Sequence, residues 1–434
     1  MPIFAGMDAD VIVVGAGPAG SATATYLAQA GVDTLLLEKA TFPRAKACGD
    51  GLTPRAVKEL QFLGVPTTEQ AGFQRNRGLR VFGGGHVLEL PWPELDSFPP
   101  FGLTMPRETL DHKLAQHAVA AGARLHQDTT VTGPVISERT GRVVGVNART
   151  GSDSSNSATH TYRAPLVVAA DGVSTRLATA IGRDKNPHRP VGVAVRTRVK
   201  LTKPPSRPGQ MDWMESHLEL WDGPREHGKL MPGYGWVFPE AGQVVNVGVG
   251  SVTSTARAKG VNYRELLTTW MDTLGPLWGF TAQDVVDPPR SAALPMCFSR
   301  QPLYGKGLLL VGDAGGMVSP FDGEGIAYAL QSGRVAAATI TAALSPGAAG
   351  RREETLLDYP RQLKESLGGY FSLGRVFVKL IEQPAVMRLC TRYGLPRPTL
   401  MRLVMKLLSD LYEPRGGDWM DRLIATLARM APAA

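Results

Sequence analysis

Three cysteines in 434 residues, at positions 48, 297 and 390, are too few and too far apart for a disulfide framework or a cysteine-rich metal site. A reducing interior is the natural compartment for such a chain. Its eight histidines form no His-Glu-x-x-His pattern, no Gly-x-Ser-x-Gly occurs, and no metal is expected. The net charge is +8, yet there is no internal repeat and no DNA- or RNA-binding motif, so nucleic acid is not an expected partner. Charge is missing altogether from Val11 to Val32. That run has the hydropathy of a membrane span or a signal core. Gly15, Gly17, Pro18 and Gly20 interrupt it, however, and no Lys or Arg precedes it. With no transmembrane candidate elsewhere, the expectation is a cytoplasmic protein, soluble or peripheral on the inner face of the cell membrane.

What fills the uncharged run is a nucleotide-binding pattern. Residues 10 to 14 read as a buried strand, Pro18 to Ala30 as a helix stopped by Gly31, and "TLLLE" as a second strand ending in Glu38. Between the first strand and the helix lies the turn Gly15, Ala16, Gly17, Pro18, Ala19, Gly20. Gly15 allows the tight turn, Gly17 lets a pyrophosphate approach the backbone, and Gly20 lets helix and strand pack closely. The helix start offers free amides and the positive end of the helix dipole. Glu38 stands where an acid accepts hydrogen bonds from an adenosine ribose. Together these predict dinucleotide binding.

Three hundred residues later, "GLLLVGDAGGMVSPFDGEGIAYALQSG" repeats the logic. Leu308 to Val311 reads as a strand with Asp313 at its carboxyl end, where open α/β sheets bind ligands. A helix is predicted from Gly323 or Glu324 onward. "VGDA" with the following "GEGI" resembles the flavoprotein hydroxylase superfamily. That resemblance implies FAD, with Asp313 on the ribityl chain and the helix start at Gly325 and Ile326 facing the flavin pyrimidine. "LVVAADGVSTRLA" is similar to the superfamily's internal motif, here Asp171 and Gly172. Arg107 in "MPRETLDHKL" is similar to an arginine that contacts FAD.

Within that superfamily "FPRAKACGDGLTPRAV" and "GYGWVFP" resemble the geranylgeranyl reductase branch and its menaquinone reductases. The resemblance implies that Arg44, Cys48, Gly49 and Asp50 lie beside the flavin, and that the substrate is a polyprenyl lipid. The implied fold is α/β: an FAD-binding Rossmann-like domain of the glutathione reductase/hydroxylase type, an inserted antiparallel β-sheet substrate domain, and a helical C-terminal region. The expected division is 8–80, 104–185 and 290–345 for FAD, 81–103 and 186–289 for substrate, and 346–434 for the helices. Alternation in "VGVAVRTRVKL", "SHLELWDG" and "QVVNVGVGSV" fits the antiparallel sheet. Trp213, Trp221, Tyr234, Trp236 and Phe238 are either core or the aromatic wall of an apolar pocket.

The implied activity is reduction of carbon–carbon double bonds, with hydride from reduced flavin and a proton from a positioned acid. Candidates for the acid are Cys48, Asp50 and Tyr234. Cys48 is alternatively structural; Lys46, Arg44 and Arg55 are cations nearby in sequence that could lower its pKa, which the sequence does not fix. Two other readings stand beside the reductase: an aromatic monooxygenase or halogenase, and a non-enzymatic flavin electron-transfer partner. With no second Gly-x-Gly-x-x-Gly unit, NAD(P)H, a ferredoxin and a quinol all remain open as donor. From Arg361 to the end there are 12 Lys/Arg against 6 Asp/Glu. "TLMRLVMKLLSDLYE" there is amphipathic, with Arg402, Lys406 and Asp410 on its polar side. It is either a cap on the domains or a surface for an anionic bilayer.

Overall fold

The structure is a computed structural model and describes residues 6–151, 158–252, 260–348, 350–413 and 415–431. The tip of the "TGSDSSNSATH" hairpin lies outside the described residues. Its flanking strands, Val143–Thr150 and Ala158–Arg163, pair antiparallel as expected.

The uncharged N-terminal run becomes the centre of a six-stranded sheet because every side chain of Val11–Val14 is buried. Thr34–Leu37 and Leu166–Ala169 flank it in parallel, Arg124–His126 and Leu308–Leu310 lie outside them, and a short antiparallel strand, Tyr304–Gly305, closes the edge. Helices Pro18–Gln29 and Ile326–Leu344 pack on each other over this sheet. Gly333 permits that contact: a Cβ there would lie 2.7 Å from the Ala19 carbonyl oxygen. The carboxyl ends of Val11–Val14, Leu166–Ala169 and Leu308–Leu310 thus carry the Gly15, Asp171 and Asp313 turns side by side.

A second sheet has seven strands in the order Arg290–Pro295, Val191–Lys200, Val244–Val252, Gly233–Glu240, Trp213–His217, Gly78–Gly83, His86–Pro91. All its pairings are antiparallel except Trp213–His217 with Gly78–Gly83. The chain therefore enters this sheet at Gly78, before the expected 81, and leaves it at Pro295, after the expected 289, because Gly78–Gly83 and Arg290–Pro295 both hydrogen-bond into it. Its valine-rich face packs on helix Tyr263–Trp278 through Val237, Val247, Val249, Leu267 and Leu274. The opposite face looks toward the first sheet.

Helices Asp358–Ile381, Pro384–Leu389, Pro398–Leu408 and Trp419–Met430 form the C-terminal region. Helix Pro398–Leu408 buries Met401 and Met405 against Val81, Met214, Trp236 and Phe238, so it is a cap on the second sheet. Lys406 and Asp410, expected on a polar surface, are buried. Lys406 pairs with Asp421, and Asp410 pairs with Arg55. Among the described residues no helix is long and apolar enough to cross a membrane.

Candidate active site

The three turns open into one cavity of about 890 Å³ that runs from the first sheet, under the second, to the C-terminal helices. At its first end Gly15 adopts φ +100, and a Cβ there would run into the Ala170 carbonyl. Gly20 faces away from the cavity, where a Cβ would overlap the Gly15 carbonyl oxygen. Gly17 is different: the nearest atom to a Cβ is the Arg44 guanidinium at 3.8 Å, so its backbone is open to the cavity. The Glu38 carboxylate accepts from the Ala16 and Ala40 amides at 2.9 and 3.1 Å and pairs with Arg44 at 3.3 Å. Ala16 and Gly20 thus shape the turn from behind, while Gly15, Gly17, Pro18, Ala19, Glu38 and Arg44 line the cavity.

The Asp171 carboxylate takes the Arg176 amide at 2.9 Å on one oxygen, and its other oxygen is buried without a partner. Asp313 lines the cavity, and burial raises its pKa against the pull of Lys46 and Arg107. The helix beyond it begins at Ile326, later than Gly323 or Glu324, because the Asp322 side chain accepts from the Glu324 amide at 3.0 Å and Gly323 takes φ +77, closing a separate turn. Gly325 and Ile326 still line the cavity, as do Gly172 and Arg107. An open Gly17 backbone and an orphaned Asp171 oxygen are features that a bound dinucleotide would complete.

The segment Cys48–Gly51 lies between this cradle and the second sheet. A Cβ on Gly49 would sit 3.3 Å from the Trp236 indole nitrogen, and one on Gly51 2.8 Å from the Met214 methyl, so the two glycines let this segment lie close against the wall. The Cys48 thiol lies against Arg107 and not against Arg44, which pairs with Glu38 and Asp111, or Arg55, which pairs with Asp410. Burial outweighs Arg107 and pushes the thiol up. A protonated thiol is the resting form. Asp50 is held at φ +62 by bonds from the Arg107 amide at 3.2 Å and Asn246 Nδ2 at 2.7 Å. Burial raises it to about 6.

The wall itself follows strand alternation. Tyr234, Trp236 and Phe238 share one face of Gly233–Glu240 and line the cavity, with neighbouring ring centroids 6.0 and 6.2 Å apart. On the adjacent strand Met214 and Ser216 face the cavity, so Trp213 points to the other side, beneath the Arg80 guanidinium. Trp221 also lies off the cavity, between Arg225 and Arg388. Both tryptophans are withdrawn as pocket residues. The Tyr234 hydroxyl donates to the Asp322 carbonyl at 2.6 Å, and burial raises its pKa. Its proton is thus committed to the backbone.

Several functional neighbours escape sequence reasoning. Asn246 bridges the Trp236 indole, the Cys48 carbonyl and Asp50 at 2.9, 3.0 and 2.7 Å. Glu324 accepts from Thr53 and is raised to about 8 by burial and by Asp322. Leu79, Val81, Phe377, Ile381, Met401, Val404, Met405 and Leu408 line the far limb, and no charged side chain lies among them. Only Glu240 had a readable signal, one step further along the Tyr-x-Trp-x-Phe alternation.

A cradle of this kind, set beneath an antiparallel sheet, defines a flavin-dependent oxidoreductase with a Rossmann-like cofactor unit. Residues 8–221 match a family described as FAD binding domain, and FAD is the cofactor. A menaquinone reductase of Mycolicibacterium smegmatis is 35% identical over 421 residues, 96% of this chain and 95% of the relative. A digeranylgeranylglycerophospholipid reductase of Methanopyrus kandleri is 32% identical over 333 residues, 76% of this chain and 80% of the relative. A geranylgeranyl bacteriochlorophyll reductase-like protein of Thermoplasma acidophilum shares the fold, with TM-score 0.74 at 21% identity over 96% of this chain and 99% of that one. The chain belongs to the geranylgeranyl reductase and menaquinone reductase family of FAD-dependent oxidoreductases.

Proposed function

We propose that this protein saturates a double bond in the isoprenyl tail of a menaquinone-type lipid, taken from a membrane surface. The observation that carries this reading is the uncharged far limb of the cavity, continuous with the cofactor cradle. A polyprenyl chain needs length and apolar walls and few hydrogen bonds. The relatives' names point the same way.

In this reading the Gly15–Gly20 turn and the amides of the following helix hold the pyrophosphate, Glu38 the ribose and Asp313 the ribityl chain. Arg44, Arg107, Asp171 and Gly172 border the cofactor, with Gly325 and Ile326 at the flavin ring. Reduced flavin supplies hydride when bound. Tyr234, Trp236 and Phe238 hold the isoprene unit flat and exclude water, and Cys48 packs between ring and tail. The cofactor unit comprises 8–77, 104–185 and 296–345. The substrate unit comprises 78–103 and 186–295, and the helices of 346–434 close the channel.

The test is anaerobic. Dithionite-reduced protein is mixed with menaquinone carrying an unsaturated tail, with geranylgeranyl diphosphate, or with an aromatic acid and oxygen. Flavin reoxidation by menaquinone, with two hydrogens gained per bond in the lipid mass spectrum, is the expected result. Preference for the diphosphate moves the substrate class. Hydroxylated or halogenated product with oxygen removes the reductase reading.

Bilayer contact is placed at the mouth of the far limb. Leu389, Tyr393 and Leu400 are 59, 56 and 43% exposed there, interleaved with exposed Arg388, Arg392, Arg397 and Arg402. Each cation near an anionic surface contributes about 1 kcal/mol. The double variant Arg388→Glu, Arg392→Glu is therefore expected to lose binding to vesicles containing phosphatidylglycerol, read by co-sedimentation at low salt, while keeping its flavin. Unchanged binding would move the docking face elsewhere.

A further inference from the structure

Glu240 is buried to 2% exposure, one alternation step beyond Phe238 on the cavity-facing side of its strand. One of its carboxyl oxygens finds no donor in the protein. What it meets is the Asp50 carboxyl, side chain against side chain. Two carboxyl groups in that contact need a proton between them. Asp50 borders the cavity and Glu240 stands behind it.

The surroundings are charged, and most of that charge is engaged elsewhere. Asp50 faces Arg107, Arg196 and the Cys48 thiol. Glu240 faces Arg196 and Arg198. Those two guanidiniums hold Asp287 at 2.8 and 2.6 Å, and Arg198 also holds Glu108 at 3.0 Å. Arg107 holds Asp111 at 2.7 and 2.9 Å. Cation is sufficient to tolerate the ionised pair, yet burial and mutual repulsion keep one proton bound. The Glu240 carboxyl is raised to about 8. Of the three acids weighed from the sequence, Cys48 is a thiol pushed up by burial and Tyr234 has its hydrogen on a backbone carbonyl.

We propose that Asp50 and Glu240 hold one proton in common, that Asp50, which borders the cavity, passes it to the substrate carbon at the cavity wall, and that Glu240 is the positioning residue that keeps the pair singly protonated. The proposal rests on the prenyl reduction argued above. Saturating one bond takes two electrons and two hydrogens. A hydride equivalent comes from the reduced flavin, which is thereby oxidised, and the second C–H bond forms as a carboxyl O–H breaks. The pair passes from one negative charge to two, opposite Arg107 and Arg196, until a solvent proton restores it.

Infrared difference spectra of the flavin-loaded protein across a pH titration, in H2O and D2O, read the pair without any turnover. Wild type is expected to show a deuterium-sensitive carboxylic acid band at neutral pH that is lost as pH rises through about 8. Glu240→Gln and Asp50→Asn each abolish it, and Glu240→Asp restores it. In single-turnover reoxidation by menaquinone, Glu240→Gln slows neutral-pH transfer about tenfold for each unit by which the acid falls. Its falling limb moves to lower pH, and the lipid concentration dependence is unchanged. A wild type without a titrating acid band, or a Glu240→Gln variant with the wild-type pH profile, overturns the proposal. A wild type that shows the band but does not reduce prenyl lipids overturns the underlying reading instead.

Discussion

A Gly17→Ala variant is expected to fold normally and to purify without its yellow colour. Gly17 has φ −81, a conformation alanine adopts freely, and an added Cβ meets no protein atom closer than 3.8 Å. The methyl group would occupy only the space above the backbone that a pyrophosphate needs. Thermal unfolding of the apoprotein should match wild type, while the flavin-to-protein absorbance ratio falls close to zero. Gly20→Ala is the contrast. Its Cβ overlaps the backbone oxygen of Gly15, which cannot rotate aside, so this variant loses stability as well as flavin. If Gly17→Ala retains stoichiometric FAD, the phosphates do not cross this turn.

The second large effect concerns Asp410, which lies beyond the end of helix Pro398–Leu408 and is buried against Arg55 of helix Pro54–Phe62. Arg55 also donates to Gln331 at 3.4 Å and stacks near Phe98 and Tyr328, which leaves its side chain only 16% exposed. Asp410→Asn keeps the shape and tolerates φ +51 but leaves a buried guanidinium without its anion. The expected loss is about 3–5 kcal/mol in chemical denaturation at about pH 7.5. Burial raises the Asp410 carboxyl to about 6, so the wild-type side chain is itself protonated at lower pH. A carboxyl raised above its unfolded value makes wild type gain stability as pH falls through about 6, a gain the variant lacks, so the difference should grow toward about pH 5. Adding Arg55→Met to the variant should recover much of the loss. A penalty below about 1 kcal/mol would mean that this pair does not brace the C-terminal helices.

Both predictions turn on how far each feature could be read from the chain. The Gly15–Gly20 turn was legible because its requirements are local. A buried strand, a glycine spacing and a helix start lie within twenty residues and leave a mark in composition. The Asp313 turn and the alternating strands were legible for the same reason. The far limb was not: Met401 and Met405 read as one side of an amphipathic helix, and nothing in that periodicity says whether the apolar side meets a sheet or a bilayer. The Arg55–Asp410 pair is invisible in sequence because each partner looks like an ordinary surface charge. Trp213 and Trp221 misled because composition locates aromatics without saying which way they point. The register of Trp213–His217 decides that, with Met214 and Ser216 turned inward.

The cavity joins walls drawn from distant parts of the chain. In the proposed function, the aromatic face that would meet a double bond belongs to the second sheet, which is fixed by its strand ladder. The depth to which a tail would slide past that face would then be set by Met401, Val404 and Met405, which line the cavity from a separate helix. Chemistry and regiochemistry are thereby encoded in different segments. The sheet acts as the anvil, and the C-terminal helix acts as the stop of a gauge that selects which isoprene unit comes to rest upon it. Shortening or lengthening side chains on that one helix changes the bond chosen without touching the machinery that reduces it.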